Sequence, residues 1–149
     1  MNTKLITQIG EEMSKYCEEL NTRMSEFEIK QLEYKFEARF SVKLHKEYAL
    51  LLALVNGIEW NGFIIYGIKN EMESESTNEI IDLFDMNEVW HENVSLRKYI
   101  FIGDSCISWY CYDKTLKKFV ELDKPSGSKV DEFEDFGELL NSVLSNALM

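Results

Sequence analysis

The order of patterns along the chain predicts an α+β fold, in which a mainly antiparallel sheet packs against helices. Three amphipathic helical patterns come first. A run of short strand patterns separated by turn residues follows later, and a last helical pattern closes the sequence. This order of helices, consecutive strands and a closing helix is typical of α+β domains. At 149 residues the chain is long enough to bury one core without disulfides or metal, so we expect a single domain over residues 1–149.

Two helical patterns begin the chain. Residues 3–20 place apolar side chains near helical spacing, and residues 25–40 do the same with mixed charges on the opposite face. Ser25 and Glu28 form a capping-box pattern, in which each side chain accepts a hydrogen bond from the free backbone N–H of the other residue. The second helix is therefore expected to begin at Ser25.

A third helical pattern leads into an apolar strand. Residues 45–55 predict a helix, and Asn56 and Gly57 supply the left-handed conformation that ends it. Residues 63–66 predict a strand, and Trp60 falls in the polar link before it. Two interpretations of Trp60 stay open: a packed lid over the turn, or an exposed anchor for a partner.

The second half of the chain predicts one helix, four short strands and a last helix. Residues 80–90 have the spacing of an amphipathic helix and follow a polar loop. The strands are expected at residues 99–102, 108–112, 119–122 and 129–133, with turns between them. The last helix is expected to start near Asp135. The aromatic core should contain Phe27, Phe36, Tyr48, Phe63, Phe84, Phe101 and Phe136.

Negative charge is concentrated in one part of the sequence. The chain has 27 acidic and 16 basic residues, a net charge of −11, and residues 71–92 hold eight acids with no Lys or Arg. Such a chain is unsuited to direct nucleic-acid binding, which needs clustered cations, and suits a basic protein surface. So many acids cannot be buried without basic partners. We therefore expect several acids to face solvent as candidate partner contacts: Glu73, Glu75, Glu79, Asp82 and Asp85.

Cysteine and histidine positions predict no metal, no cofactor and no disulfide framework. Cys17, Cys106 and Cys111 are odd in number and lack ligand spacing. His45 and His91 lie far apart in the sequence, and His91 is expected to be a solvated residue on an acidic helix. All three thiols should therefore be reduced.

The Gly103-Asp104-Ser105 sequence superficially resembles a motif of lipase-like hydrolases. Such enzymes need a histidine base near the C-terminus to accept the serine proton, and no histidine follows His91. The expected structure is a turn after a strand, stabilised by local hydrogen bonds of Asp104 or Ser105. A small hydrolase that uses these two residues stays as a remote alternative.

The sequence contains neither a signal-peptide pattern nor a membrane-span pattern. Glu11 and Glu12 interrupt the N-terminal apolar residues, and no segment approaches the length of a bilayer-crossing helix. The expected location is the cytoplasm, with no membrane partner.

Three segments occur in an order that is typical of a known family. A helix containing Tyr48 leads to Asn56-Gly57, residues 63–67 form a strand ending in Tyr-Gly, and residues 99–105 read YIFIGDS, followed by aromatic strands and a final helix. In this order the segments resemble the SUKH superfamily, named for yeast cell-wall regulators and bacterial immunity proteins. The resemblance runs from about residue 25 to the end of the chain.

The resemblance implies a binding protein rather than an enzyme, with residues 1–24 as an N-terminal helix outside the family pattern. Bacterial members of the family resemble immunity proteins that neutralise polymorphic toxins, many of them nucleases, and yeast relatives resemble regulatory scaffolds. We expect an intracellular immunity protein whose acidic surface binds a basic toxin domain and blocks its active site. The alternative is a regulatory adaptor of the same fold with no toxin partner. Trp60 and Asp104 complete the candidate partner contacts, and the oligomeric state stays open.

Overall fold

The computed structural model describes residues 3–70 and 80–149, and these residues have the predicted α+β architecture. The helices and strands, in chain order, are α1 Lys4–Ser14, α2 Glu26–Phe40, α3 Lys46–Leu52, β1 Ile58–Trp60, β2 Phe63–Ile65, α4 Leu83–Trp90, a 3₁₀ turn Val94–Leu96, β3 Tyr99–Asp104, β4 Ser108–Asp113, β5 Lys118–Asp123, β6 Lys129–Phe133 and α5 Phe136–Ala147. No helix of these residues is long and apolar enough to cross a bilayer.

The six strands form one sheet in chain order, and each strand pairs antiparallel with the next. The predicted antiparallel sheet is therefore confirmed. The backbone of β3 continues past the end of β2, where α4 lies beside it. The Asn87 side chain accepts from the N–H of Phe101 (2.8 Å) and donates to its C=O (2.9 Å). A side chain of α4 therefore makes the backbone hydrogen bonds that a neighbouring strand would otherwise make on this side of β3.

A single hydrophobic cluster joins the helices to the sheet. Ile6, Ile9 and Met13 of α1 belong to it, so the N-terminal helix packs on the same core as the sheet. The ring of Phe136 in α5 lies 5.5 Å from Tyr48 of α3 and 5.8 Å from Phe119 of β5. These edge contacts hold α3 and α5 against the sheet.

Five of the seven predicted core aromatics are buried, and Phe27 is not. Phe27 is 70% exposed, because α2 buries Leu32, Phe36 and Phe40 on the opposite side of the helix. Phe63 is half-buried. The capping box at the start of α2 is confirmed, with Ser25 as the N-cap residue.

The helix α3 ends earlier than the sequence pattern suggests. It stops at Leu52 instead of Val55, and the following loop is held by backbone and side-chain bonds. The N–H of Met24 donates to the C=O of Leu52 (2.9 Å), and the amide of Asn56 makes two 2.8 Å bonds to the backbone of Ile68. Gly57 has the expected positive φ, 79°, but it introduces β1 rather than ending the helix.

The link around Trp60 is a β-hairpin and not the polar connector that the sequence pattern predicts. Strand β1 ends at Trp60, which pairs with Phe63, and Asn61-Gly62 forms the two-residue turn with φ values of 52° and 84°. Asn-Gly is a strong signal for this kind of hairpin turn. Strand β3 also runs further than expected and includes Asp104, so the predicted position of the turn at Gly103-Asp104 was wrong. The chain turns after Asp104 instead, and the predicted local bonding by Ser105 is confirmed, since its hydroxyl accepts from the N–H of Ser108 (3.2 Å).

Both histidines are packed against aromatic rings. His45 lies 4.3 Å from Tyr112 and 5.0 Å from Phe119 between ring centroids, and burial lowers its pKa. His91 is only 9% exposed and its Nε2 lies 2.7 Å from the carbonyl of Tyr99, so the expectation of a solvated histidine was wrong. Burial also lowers the pKa of His91.

Gly57 and Gly62 offer a matched pair of substitutions that tests the turn into β1. Both have positive φ, but a Cβ on Gly57 would lie 2.7 Å from the backbone nitrogen of Gly67, whereas a Cβ on Gly62 would meet nothing within 4 Å. Gly62→Ala should lower the free energy of unfolding by about 1–2 kcal/mol, the cost of a left-handed residue. Gly57→Ala should lower it further, because the backbone must also move. Equal losses in urea denaturation would contradict the close approach of these two loops.

Candidate functional site

A buried hydrogen-bond network centres on Tyr66, the residue that follows β2. Its hydroxyl donates to Oδ2 of Asp104 at the end of β3 and accepts from Nε1 of Trp90 in α4 (3.0 Å). The hydroxyl of Tyr48 in α3 donates to the backbone carbonyl of Tyr66 (2.7 Å). Four parts of the fold therefore meet at one tyrosine.

Lys124 completes the network from the end of β5. Its Nζ lies 3.5 Å from Oδ1 of Asp104 and 3.2 Å from the carbonyl of Ser105, and 4.9 Å from the ring centroid of Trp90. Both carboxylate oxygens of Asp104 thus have partners inside the protein. Burial, reinforced by the charge of Asp104, raises the pKa of Tyr66, so its phenol stays a hydrogen-bond donor.

The residues of the hydrolase-like motif are used in folding. The hydroxyl of Ser105 accepts from the N–H of Ser108 (3.2 Å) and from the hydroxyl of Tyr110 (3.5 Å). His45 is packed among aromatic rings and His91 is bonded to a strand carbonyl, so neither histidine is paired with Ser105. A serine nucleophile needs such a base. This geometry supports a structural role for Ser105.

The cysteines and acids form no recognisable reactive centre in residues 3–70 and 80–149. Cys111 is buried, and burial raises its pKa, which keeps the thiol protonated. Cys17 and Cys106 are exposed free thiols. Over the same residues, no group of three or more His, Cys, Asp or Glu side chains is arranged to hold a metal ion.

The predicted acidic contacts lie in different environments. Glu73, Glu75 and Glu79 fall outside the described residues. Asp85 is exposed as expected, with an oxygen 3.8 Å from Nζ of Lys69. Asp82 is only 7% exposed, so its predicted exposure was wrong.

Asp82 is buried because it caps α4. Its Oδ1 accepts from the N–H groups of Phe84 (2.9 Å) and Asp85 (3.0 Å), and its Oδ2 accepts from the N–H of Lys69 (2.8 Å). An aspartate at this position satisfies backbone donors that the helix cannot. Asp104 is likewise 7% exposed and bonded within the protein, which argues against direct contact with a partner.

Trp60 borders an open cleft of about 680 Å³ between the chain that follows α1 and the β1–β2 hairpin. Ile80 and Ile81, just before α4, also line this cleft, so Trp60 lies close to a part of residues 71–92, the acid-rich segment. Asp104 is not among the lining residues. Sequence reasoning missed three further acids that line the cleft, and only the Asn61-Gly62 hairpin signal could have indicated this surface. They are Glu18, Glu19 and Glu59.

A second cleft, of about 430 Å³, lies beside the C-terminal end of α2. Its lining mixes opposite charges: Arg39, Arg97 and Lys114 line it together with Glu88 and Glu92. With three cations and two acids, the surface favours no one class of ligand. We assign it no function.

Comparison with protein families identifies the fold. The family model SUKH_6, described as SMI1-KNR4 cell-wall, matches residues 29–140, about three quarters of the chain. The chain belongs to the SUKH superfamily. A search among curated proteins finds no match.

The buried network around Tyr66 lies within the SUKH match, whereas the cleft beside Trp60 lies only partly within it. Residues 29–140 include Tyr48, Tyr66, Asp104 and Lys124, so the whole buried network lies within the family region. The α1 side of the cleft lies outside it. The cleft is therefore formed jointly by the SUKH region and by the N-terminal segment of this chain.

Two tyrosine substitutions test the network. Tyr66→Phe leaves Asp104 with fewer partners and Trp90 Nε1 without an acceptor, so the free energy of unfolding should fall by about 2–3 kcal/mol, as for bonds to buried charged groups. Tyr48→Phe removes one bond between neutral groups and should cost about 1 kcal/mol. Urea denaturation measures both variants. Equal losses, or no loss for Tyr66→Phe, would contradict the central place of the Tyr66 hydroxyl.

Proposed function

We propose that this SUKH protein is an intracellular immunity protein, which neutralises a toxin by binding a basic toxin domain. Membership of the superfamily supports a binding role, because SUKH proteins form a non-enzymatic binding family. The observation that carries the proposal is the charge of the chain. A net charge of −11, with eight acids and no cations over residues 71–92, complements a basic protein surface.

A nuclease-like toxin would supply that surface. A protein that cuts nucleic acid presents clustered Lys and Arg to the phosphate backbone. An acidic protein bound over those cations would occupy the substrate site and exclude nucleic acid. Opposite charge also accelerates the encounter of the two proteins, and salt weakens this effect.

The reactive side chains inside the protein are consistent with a role in binding. The carboxylate of Asp104 and the hydroxyl of Ser105 are bonded inside the fold, and the thiol of Cys111 is buried and protonated. These three groups are therefore used within the fold. This supports the immunity proposal over a small hydrolase.

A regulatory adaptor of the same fold is the second candidate. The description of the matched family as SMI1-KNR4 cell-wall favours it. The two candidates differ in two tests: whether the neighbouring gene encodes a toxin domain, called here the adjacent toxin domain, and whether co-expression of this protein with that domain protects the cell. An immunity protein should restore growth to cells that express the adjacent toxin domain, and an adaptor should not.

Charge reversal tests the acidic surface. The variant Glu73→Lys/Glu75→Lys/Asp85→Lys should slow association with the toxin domain about tenfold or more at low salt and reduce protection of cells. Asp82 is left intact because it caps α4. The melting temperature should change little, because Asp85 is exposed and its ion pair with Lys69 is weak.

The matched control is Glu26→Lys/Glu33→Lys/Glu37→Lys, which makes the same charge change on the exposed side of α2. It should leave association closer to the wild-type rate. Unchanged association and protection in the first variant would show that the acid-rich segment does not steer binding. Failure of the wild-type protein to bind or neutralise the adjacent toxin would overturn the immunity proposal.

A further inference from the structure

The cleft beside Trp60 has walls that are held in place by hydrogen bonds. On one side, the Asn21 amide donates to the carbonyl of Asn56 (2.9 Å), which fixes the chain that follows α1. On the other side, the Asn61 amide at the hairpin turn donates to the carbonyl of Ala147 (3.1 Å) in α5. A partner would therefore enter a preformed surface, without the entropic cost of ordering it.

An aromatic pair borders this cleft, because Trp60 is part of its lining and Tyr16, just outside the lining, contacts Trp60. The ring of Trp60 lies 5.9 Å from the ring of Tyr16 at a tilt of 48°, and Tyr16 is 68% exposed although it is a large aromatic side chain. Aromatic side chains with one accessible face are common anchors at protein interfaces. Their π-faces also attract Arg and Lys cations.

The charge of the cleft has one sign. Glu18, Glu19 and Glu59 line it and are exposed, and its described lining contains no Lys, Arg or His. Within the described part of the chain, none of the three carboxylates forms an ion pair. Elsewhere on the surface, acids such as Glu132 and Glu134 are paired with lysines. The cleft thus lacks cations of its own, and a cationic partner could supply them.

We propose that this cleft is the anchoring site for a basic segment of the protein partner, which presents an Arg or Lys side chain to the Tyr16–Trp60 pair and to the three carboxylates. The inference rests on the proposed function, because it names the surface by which the basic toxin domain is held. A cation between an aromatic face and carboxylates gains both ring attraction and charge-assisted hydrogen bonds. The same charge repels nucleic acid and acidic peptides.

The test uses hexa-arginine peptide as the probe and the two exposed cysteines as reporters. Cys17 lines the cleft, whereas Cys106 lies outside its lining in the β3–β4 turn. Alkylation by iodoacetamide, followed by mass spectrometry, measures each thiol in the same sample. The peptide should slow alkylation of Cys17 about tenfold at saturation and leave Cys106 within about twofold.

Charge-matched variants show whether the effect is local. Glu18→Gln/Glu19→Gln/Glu59→Gln should raise, about tenfold, the hexa-arginine concentration that gives half of the maximal slowing of Cys17 alkylation. Glu26→Gln/Glu33→Gln/Glu37→Gln removes the same three charges from the exposed side of α2 and should change it less than about twofold. Equal protection of both cysteines, or equal effects of the two variants, would overturn the proposal.

The adjacent toxin domain separates this inference from the proposed function. If the toxin is neutralised equally by the wild type and by the cleft variant, the cleft proposal fails and the immunity function stands. If hexa-arginine protects Cys17 locally but no toxin is neutralised, the immunity function fails and the cleft remains a site for basic peptides. If cleft substitutions abolish both effects while the control variant keeps both, the two proposals hold together.

Discussion

The hydrogen bond from the Tyr66 hydroxyl to the Asp104 carboxylate is the contact on which the arrangement of this fold depends. A buried carboxylate is costly unless its oxygens are bonded and its charge is balanced. Tyr66 and Lys124 meet these requirements from the two sides of Asp104, and Trp90 and Tyr48 bond to Tyr66 in turn. The first hairpin, α3, α4 and the end of β5 are thereby held at the same place. The location of the whole network within the SUKH region makes it a structural feature of the matched domain.

Several polar groups of this chain are bonded inside the fold. The residues that first suggested chemistry, Asp104 and Ser105, are bonded to strands and side chains around them. The exposed features are of another kind: in the described part of the chain, three acids that form no ion pair line a cleft, and an aromatic pair borders it. Such features complement the basic protein surface of the proposed function. In the proposed complex, the acid-rich segment would increase the association rate, and the cleft would decrease the dissociation rate.

Local patterns predicted the parts of the fold that depend on local interactions. The capping box at Ser25 needs only a side chain three residues away, and the strand at Lys129–Phe133 shows clear turn residues before it. The burial of Asp82 could not be predicted in this way, since its partners include the N–H of Lys69, which lies 13 residues earlier in the sequence. The predicted burial of Phe27 was wrong for a related reason. Periodicity defines a helix face, but tertiary packing decides which face is covered.

The most direct test of this account separates the role of Asp104 in folding from any role in binding. Asp104→Asn keeps the shape of the side chain and removes its charge. The account predicts that the free energy of unfolding falls by about 1.5–3 kcal/mol, while the dissociation constant for the adjacent toxin domain, measured well below the melting temperature, changes less than about twofold. A dissociation constant raised tenfold or more with unchanged stability would contradict it, and would make Asp104 a contact with the partner instead of part of the core.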